Sequence, residues 1–208
     1  GRLAIVPRPG HGGDLHKNPY IAYNAVRIAG EFAVATNGSH TDPIAEKIAM
    51  GVPPRDALAQ ALLALDYEKD SLSTPRIAGV VPLEGETGWL AIVRHDALVV
   101  KAVPLTPGRA WYLATYEHDD VRDSQCVDFD AADAVGAARF AVDGGAFASL
   151  EKPVTAAAAF AAATARRNRS LAAAPDVVEH PPQLARARAM DLQGIVSPGA
   201  LKRLGRSP

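Results

Sequence analysis

Cysteine is nearly absent from this chain of 208 residues, and one charge sign does not outweigh the other. The single Cys126 has no partner for an internal disulfide, and it excludes metal sites built from several cysteines. A reducing cytoplasm is the natural compartment for such usage. With 22 Lys and Arg against 23 Asp and Glu, the net charge of −1 gives no electrostatic footprint for nucleic acid. A phosphate-bearing partner would have to be held by a few placed cations. No apolar run approaches the ~20 residues of a membrane span, and the Ala-rich stretch 156–165 is too short. The opening residues do not read as a signal peptide. There is no P-loop, no GxGxxG between a strand and a helix, and no repeat at solenoid periods.

What is present fits one full-sized domain, or one domain plus a tail. The chain opens on Gly1, and residues 3–6 read as a strand entered without lead-in, so the true beginning is expected upstream. A Pro-Arg-Pro-Gly breaker and a Gly-rich loop follow. Residues 20–36 then read as a β-hairpin reversing at Ala29-Gly30-Glu31, with Tyr20, Ala22, Asn24, Val26 and Ile28 on one face and Tyr23 on the other. Asp42, with Pro43 and Glu46 behind it, has the signature of a helix N-cap, and Gly51 ends that helix. A second helix starts near Pro53-Pro54, where Ala57, Leu58, Ala61, Leu62 and Leu65 fall on one face of a 3.6-residue period.

Four strands are predicted next, at 77–81, 89–93, 97–103 and 110–116, spaced as in an antiparallel meander. Helices are predicted over 130–142 and 154–165. Strands, helices, strands and helices in that order imply a layered α+β fold with helices outside antiparallel sheets. From 166 to 208, prolines break every short apolar run, and eight Lys or Arg stand against three Asp or Glu. A mobile basic tail is the default there. The alternative is that Val177-Val178 and Ile195-Val196 dock as added elements.

The polar residues gather at element ends, where binding and catalytic groups are usually carried. Asp66, Tyr67, Glu68, Lys69 and Asp70 follow directly on the apolar run 61–65. Tyr20, Tyr23 and Asn24 lie on the hairpin, Asn37, Ser39 and His40 in the turn beyond it, and Thr74 and Arg76 at a strand entry. Phenols, a carboxylate, a carboxamide and two cations suit proton transfer on a polar, phosphate-bearing ligand. Each has a duller alternative: Asn37-Gly38 is a common turn dipeptide, Arg76 a surface cation, and either tyrosine a core filler. Ser39 lacks the second glycine of a nucleophile elbow. His11 and His16 read as a solvent-facing loop pair before they read as metal ligands.

The runs NPYIAYN, ATNGSHTDPIAEKI, PPRDALAQALLALDYEKD and TPRIAGVV resemble the archaeal-type inosine monophosphate (IMP) cyclohydrolase family, with weaker matches at ATYEHDD and AVDGGAF. The resemblance covers roughly residues 1–165, leaving 166–208 as the tail. It implies an αββα four-layer sandwich of the Ntn-hydrolase type, without the terminal nucleophile of those hydrolases. It also implies an arginine-containing segment and a first strand upstream of the position of Gly1. The activity implied is closure of 5-formamidoimidazole-4-carboxamide ribonucleotide to IMP, with no metal or organic cofactor. A purine nucleotide is then the small-molecule partner, and a homo-oligomer is left open.

On that basis Glu68 is the leading general acid or base, with Asp66 as its electrostatic neighbour. Tyr20 or Tyr23 would donate to the formyl oxygen, and Asn37 would orient the carboxamide. Lys69 and Arg76 are the candidate phosphate ligands, with Asn24, Ser39, His40 and Thr74 completing the substrate-binding set. Two other readings stand beside this one. The first is a purine-nucleotide-binding protein of the same fold without turnover. The second is an amide hydrolase of the related sandwich fold, which would need an exposed Ser, Thr or Cys at a processed terminus.

Overall fold

The computed structural model describes residues 1–7, 10, 12–13 and 22–149, together with strand residues 155–156, 178–179 and 194–196. Six strands form one antiparallel sheet in chain order: β1 (Arg2–Ile5), β2 (Tyr23–Ala29), β3 (Phe32–Thr36), β4 (Arg76–Pro82), β5 (Thr87–Val93) and β6 (Leu98–Pro104). The predicted hairpin is there from Tyr23 on; Ala22 stands in a bend before it, and residues 20–21 lie outside the described residues. Ala29 faces Phe32 across the two-residue turn Gly30-Glu31, and Gly30 supplies the φ of +60° that such turns favour.

Its face assignment fails at one point. Leu3 faces Val26 but Ala4 faces Asn24, so Ala25 is an extra residue in β2. A β-bulge of this kind interrupts alternation. It lets Asn24 and Arg27, three residues apart, both reach the same carboxylate of Asp42.

That carboxylate explains why the first helix departs from expectation. Helix α1 (Thr41–Ala49) starts two residues early, with His40 at the N-cap position and no side-chain cap. Asp42 is occupied by Asn24 Nδ2 at 2.9 and 3.1 Å and by Arg27 Nη1 at 2.8 Å, so it does not cap the helix amides. Helix α1 stops as predicted: Gly51 takes φ +90°, and the amides of Met50, Gly51 and Val52 close onto carbonyls of the last turn. Helix α2 (Pro54–Leu65) buries Ala57, Leu58, Ala61 and Leu62, while Leu65 is 42% exposed.

Both helices pack on one face of the large sheet, where Ile44, Ile48, Leu58 and Leu62 meet Val34, Ala78, Val80 and Ala91. The other face contributes Ile77, Leu90, Ile92 and Val103 to a second cluster with Trp111 and Leu113. Full burial of a Leu or Ile contributes about 1.5–3 kcal/mol. These two clusters therefore fix β4 firmly between them.

The fourth strand of the predicted meander belongs elsewhere. Strand β7 (Arg109–Leu113) pairs with β8 (Cys126–Asp128), not with β6. The connection through Thr106, Pro107 and Gly108, with Gly108 at φ +81°, carries the chain away from β6. Alternation along β7 then sends Trp111 and Leu113 to the large-sheet cluster, and Tyr112 toward Phe147 and Phe140. Helix α3 (Ala134–Asp143) starts four residues later than predicted, because Asp133 is the acid that caps it, accepting from the Gly136 amide at 2.7 Å.

Two further expectations change. Thr155 and Ala156, predicted helical, form strand β9, antiparallel to β10 (Val178–Glu179). Strand β11 (Gly194–Val196) pairs antiparallel with β7 along Trp111–Leu113. Of the tail residues named for docking, Val178 lies in β10, and Ile195 and Val196 lie in β11. The rest of the predicted 154–165 helix and of the 166–208 tail lies outside the described residues. No described helix is long and apolar enough to cross a membrane.

Candidate functional site

Three neighbouring strands present their ends together. Pairing places Thr36, the last residue of β3, opposite Ala78 of β4, while β3 meets β2 at Ala35 and Val26. The start of β2, the end of β3 and the start of β4 therefore share one end of the sheet. The turn 37–40 and the loop 66–75 extend from it.

The loop begins with a sharp reversal. Asp66 closes helix α2 through its amide, 2.9 Å from the Leu62 carbonyl, and takes φ +56°, ψ −177°. A non-glycine residue in that region costs on the order of 1–3 kcal/mol. Three contacts depend on it. The Asp66 carbonyl accepts Arg76 Nε at 2.8 Å, and its carboxylate accepts the Tyr67 amide at 2.9 Å and Lys69 Nζ at 2.5 Å. The Lys69 contact, first among several, holds the Asp66 carboxyl below its ordinary value. Lys69 itself is 61% exposed and lies 3.5 Å from the centre of the Tyr67 ring.

Asp70 gathers the second half of the loop. Its carboxylate accepts the amides of Leu72 and Thr74 at 3.2 and 2.9 Å and the Thr74 hydroxyl at 2.7 Å. Burial pushes its titration up, but these hydrogen bonds outweigh that and leave it lowered. The Glu68 amide in turn donates to the Thr74 carbonyl at 2.9 Å.

Glu68 meets Arg76 inside this frame. Arg76 Nη1 lies 3.0 Å from Glu68 Oε1, with side-chain exposures of only 7% and 12%. Desolvation raises the Glu68 carboxyl above its ordinary value. The Arg76 charge opposes that shift, and the nearby Asp70 charge adds to it.

The turn 37–40 lies against the same arginine. Asn37 uses its whole carboxamide to extend the β4 ladder, accepting the Ile77 amide at 2.9 Å and donating to the Pro75 carbonyl at 3.0 Å. A Cβ on Gly38 would come within 3.0 Å of Arg76 Nη1 and 3.1 Å of His40 Nδ1. His40 is fully buried, and its Nε2 donates to the Ile77 carbonyl at 2.9 Å. Nδ1 is therefore the unprotonated nitrogen, and among the described residues it has no hydrogen-bond partner. Desolvation lowers the His40 pKa to about 3, helped by the Arg76 charge and opposed by the Ile77 bond.

The structure thus gathers Asn37, His40, Asp66, Glu68, Lys69, Thr74 and Arg76, from three separated stretches. Ser39 is exposed in the same turn, and Tyr23 is half-buried at the start of β2. Asn24 faces Asp42 of α1. Tyr20 lies outside the described residues. Two neighbours were not among the predicted site residues. Gly38 reads in sequence as an ordinary turn glycine. Tyr116, whose hydroxyl is 2.8 Å from Thr74 Oγ1, is 42 residues away along the chain. The ATYEHDD run was the one signal that could have marked it.

Comparison with known proteins gives a consistent result. The family described as IMP cyclohydrolase-like protein matches residues 1–165, which takes in every residue named above. The IMP cyclohydrolase of Methanosphaera stadtmanae is 46% identical over 159 residues, covering 76% of each chain. That of Methanococcus maripaludis strain C7 is 43% identical over 155 residues, 74% of each. That of Halobacterium salinarum is 54% identical over 122 residues, 59% of each.

Proposed function

The chain belongs to the IMP cyclohydrolase-like family, and on that premise we propose that it closes 5-formamidoimidazole-4-carboxamide ribonucleotide to IMP through its Glu68–Arg76 pair. In the reaction the carboxamide nitrogen attacks the formyl carbon and a C–N bond forms. One proton moves from that nitrogen to the formyl oxygen. The former formamide nitrogen then gives up its proton, the C–O bond breaks, and the oxygen leaves as water.

Each stage moves one proton between neighbouring heteroatoms. A carboxyl whose pKa is raised toward the working pH is suited to accept one and return it. Glu68 is that group in our reading, and its raised pKa beside a nearly buried arginine is the observation that carries the assignment. Arg76 was expected to hold phosphate. Its Nε and Nη1 are engaged with Asp66 and Glu68, so we assign it instead to orienting Glu68. Lys69, exposed and steadied by Asp66, is the better phosphate ligand. Asn37 would act by holding the turn, since both ends of its carboxamide bind β4. A phenol, Tyr20 or Tyr23, would donate to the formyl oxygen as charge grows there.

We also read the succession of apolar clusters, helices on sheet, sheet on sheet, then β7 on Phe140 and Phe147, as the αββα sandwich that the resemblance implies. A purine nucleotide is the partner in this reading, and the cytoplasm is its compartment. The test is a spectrophotometric assay of ring closure with the purified chain. Conversion no faster than the uncatalysed rate would sink the proposal.

A further inference from the structure

Thr74 has one hydroxyl proton and two oxygen neighbours. Asp70 Oδ2, 2.7 Å away, belongs to a carboxyl held below its ordinary value and can only accept. The 2.8 Å contact between Thr74 Oγ1 and Tyr116 Oη must therefore run from the tyrosine. The direction of the chain is fixed: Tyr116 donates to Thr74, and Thr74 donates to Asp70. The same Thr74 holds the Glu68 amide through its carbonyl, at 2.9 Å. Tyr116 stands in the turn beyond β7, outside the large sheet, whereas Thr74 and Glu68 belong to the loop leading into β4. The hydroxyl thus ties the Glu68 loop to a separate part of the fold.

We propose that Tyr116 is a positioning residue for ring closure, its hydroxyl acting through Thr74 to set where the loop 66–75 places the Glu68 carboxylate. This rests on the role given to Glu68 above. Nothing on Tyr116 has to touch substrate. A shift of about 1 Å at a catalytic group can cost ~10²-fold in rate, so a lost anchor two residues' reach away is expected to matter for kcat more than for KM.

The test uses the full chain and three variants: Tyr116→Phe, Thr74→Val and the double variant. Tyr116→Phe should lower kcat about tenfold while leaving KM within about twofold. Its melting temperature should hold, because the ring stays in place and is 38% exposed. Thr74→Val should reproduce the loss. The double variant should be no worse than the poorer single, as expected for residues acting as one unit. Wild-type kcat in Tyr116→Phe, a loss confined to KM, or losses that multiply in the double variant would each overturn the proposal. If the unmodified chain showed no ring closure, the functional reading would fail instead. Positioning would then be read from amide hydrogen exchange at Glu68: faster exchange in Tyr116→Phe supports the tether, and unchanged exchange refutes it.

Discussion

Arg76 Nη1 and Glu68 Oε1 lie 3.0 Å apart, both side chains almost out of water, and yet the Glu68 carboxyl titrates above its ordinary value. An adjacent arginine alone would push it the other way. Burial outweighs the ion pair, and the nearby Asp70 charge acts in the same direction as burial. The result is a carboxylate that is held in place but not fully stabilised in its charged form. That is a useful state for a group that must take up a proton and release it.

Glu68→Gln should reduce ring closure by about 10²-fold or more, since an amide cannot exchange the proton. From sequence alone the side chain looks like a helix-end residue with little part in the core. Its contact with nearly buried Arg76 changes that expectation. Removing one partner of a buried pair costs up to about 3–5 kcal/mol, and Gln, which keeps an acceptor, should cost less. Steady-state rates and urea unfolding on the same variant separate the two effects. Turnover near wild type would remove Glu68 from the mechanism.

Gly38→Ala tests whether the turn must be bare. The added methyl would lie 3.0 Å from Arg76 Nη1 and 3.1 Å from His40 Nδ1, closer than neighbours in a packed interior accept without moving. Overpacking of this sort costs about 1–3 kcal/mol. We expect that penalty together with a fall in kcat as Arg76 shifts against Glu68. A variant with unchanged stability and unchanged rate would show that the turn has room to give.

The two tyrosines of the hairpin can be separated by Tyr20→Phe and Tyr23→Phe. Neighbours at an interval of three in a strand face opposite ways, so one hydroxyl at most should serve a given pocket. In the structure β2 begins at Tyr23, Ala22 stands in a bend before it, and Tyr20 lies outside the described residues. One variant should lose turnover by about tenfold or more, the other little. Equal large losses at unchanged stability would show that the two hydroxyls do not face opposite ways.

What the sequence revealed follows the range of the interactions involved. Local signals were legible: the Gly30 turn, the Gly51 helix stop, the apolar stripe of α2 and three strands of the meander. The polar cluster after Leu65 was also visible, because it interrupts an apolar run. Long-range competition was not legible. Asp42 looks like a helix cap until Asn24 and Arg27 claim its carboxylate across the sheet. Strand β7 looks like a fourth meander strand because alternation does not say which sheet a strand joins. Arg76 looks like a surface cation until the fold buries it against a carbonyl ten residues back.

His40 should make the fold sensitive to acid. Buried and neutral, it has a pKa of about 3 in the folded state against an ordinary 6.5, so between those values the unfolded chain binds more protons. Stability is then complete above pH 6.5 and falls as the pH drops toward 3, by about 4 kcal/mol if this group acts alone. Glu68 opposes the trend. Its raised carboxyl favours the folded state below pH 4.5 and loses that contribution as the pH rises through the folded value. Urea unfolding from pH 7 to 4 on the wild type and on His40→Gln, which keeps a donor for Ile77, isolates the histidine. Parallel stability curves would mean that His40 is not held neutral.

Ending the chain after residue 165 should lower the melting temperature. Strand β7 is the middle of its sheet only while β11 pairs with it at Trp111, Tyr112 and Leu113. Without β11 the sheet keeps two strands, and a two-stranded pair is marginal by itself. Cluster packing by Trp111 and Leu113 on the large-sheet side should hold β7 in place, so unfolding of the whole chain is not expected. The loss should come from backbone groups of β7 left without partners, at about 0.5–1.5 kcal/mol for each hydrogen bond. For a chain of this length that corresponds to a drop of roughly 2–4 °C per kcal/mol. Composition argues the other way, since a proline-broken basic stretch has little apolar surface to offset its ordering. The two arguments are separated by hydrogen exchange at the amides of Trp111–Leu113. Faster exchange there with a lower melting temperature places β11 within the fold. Equal exchange and an equal melt would leave residues after 165 as a solvated appendage.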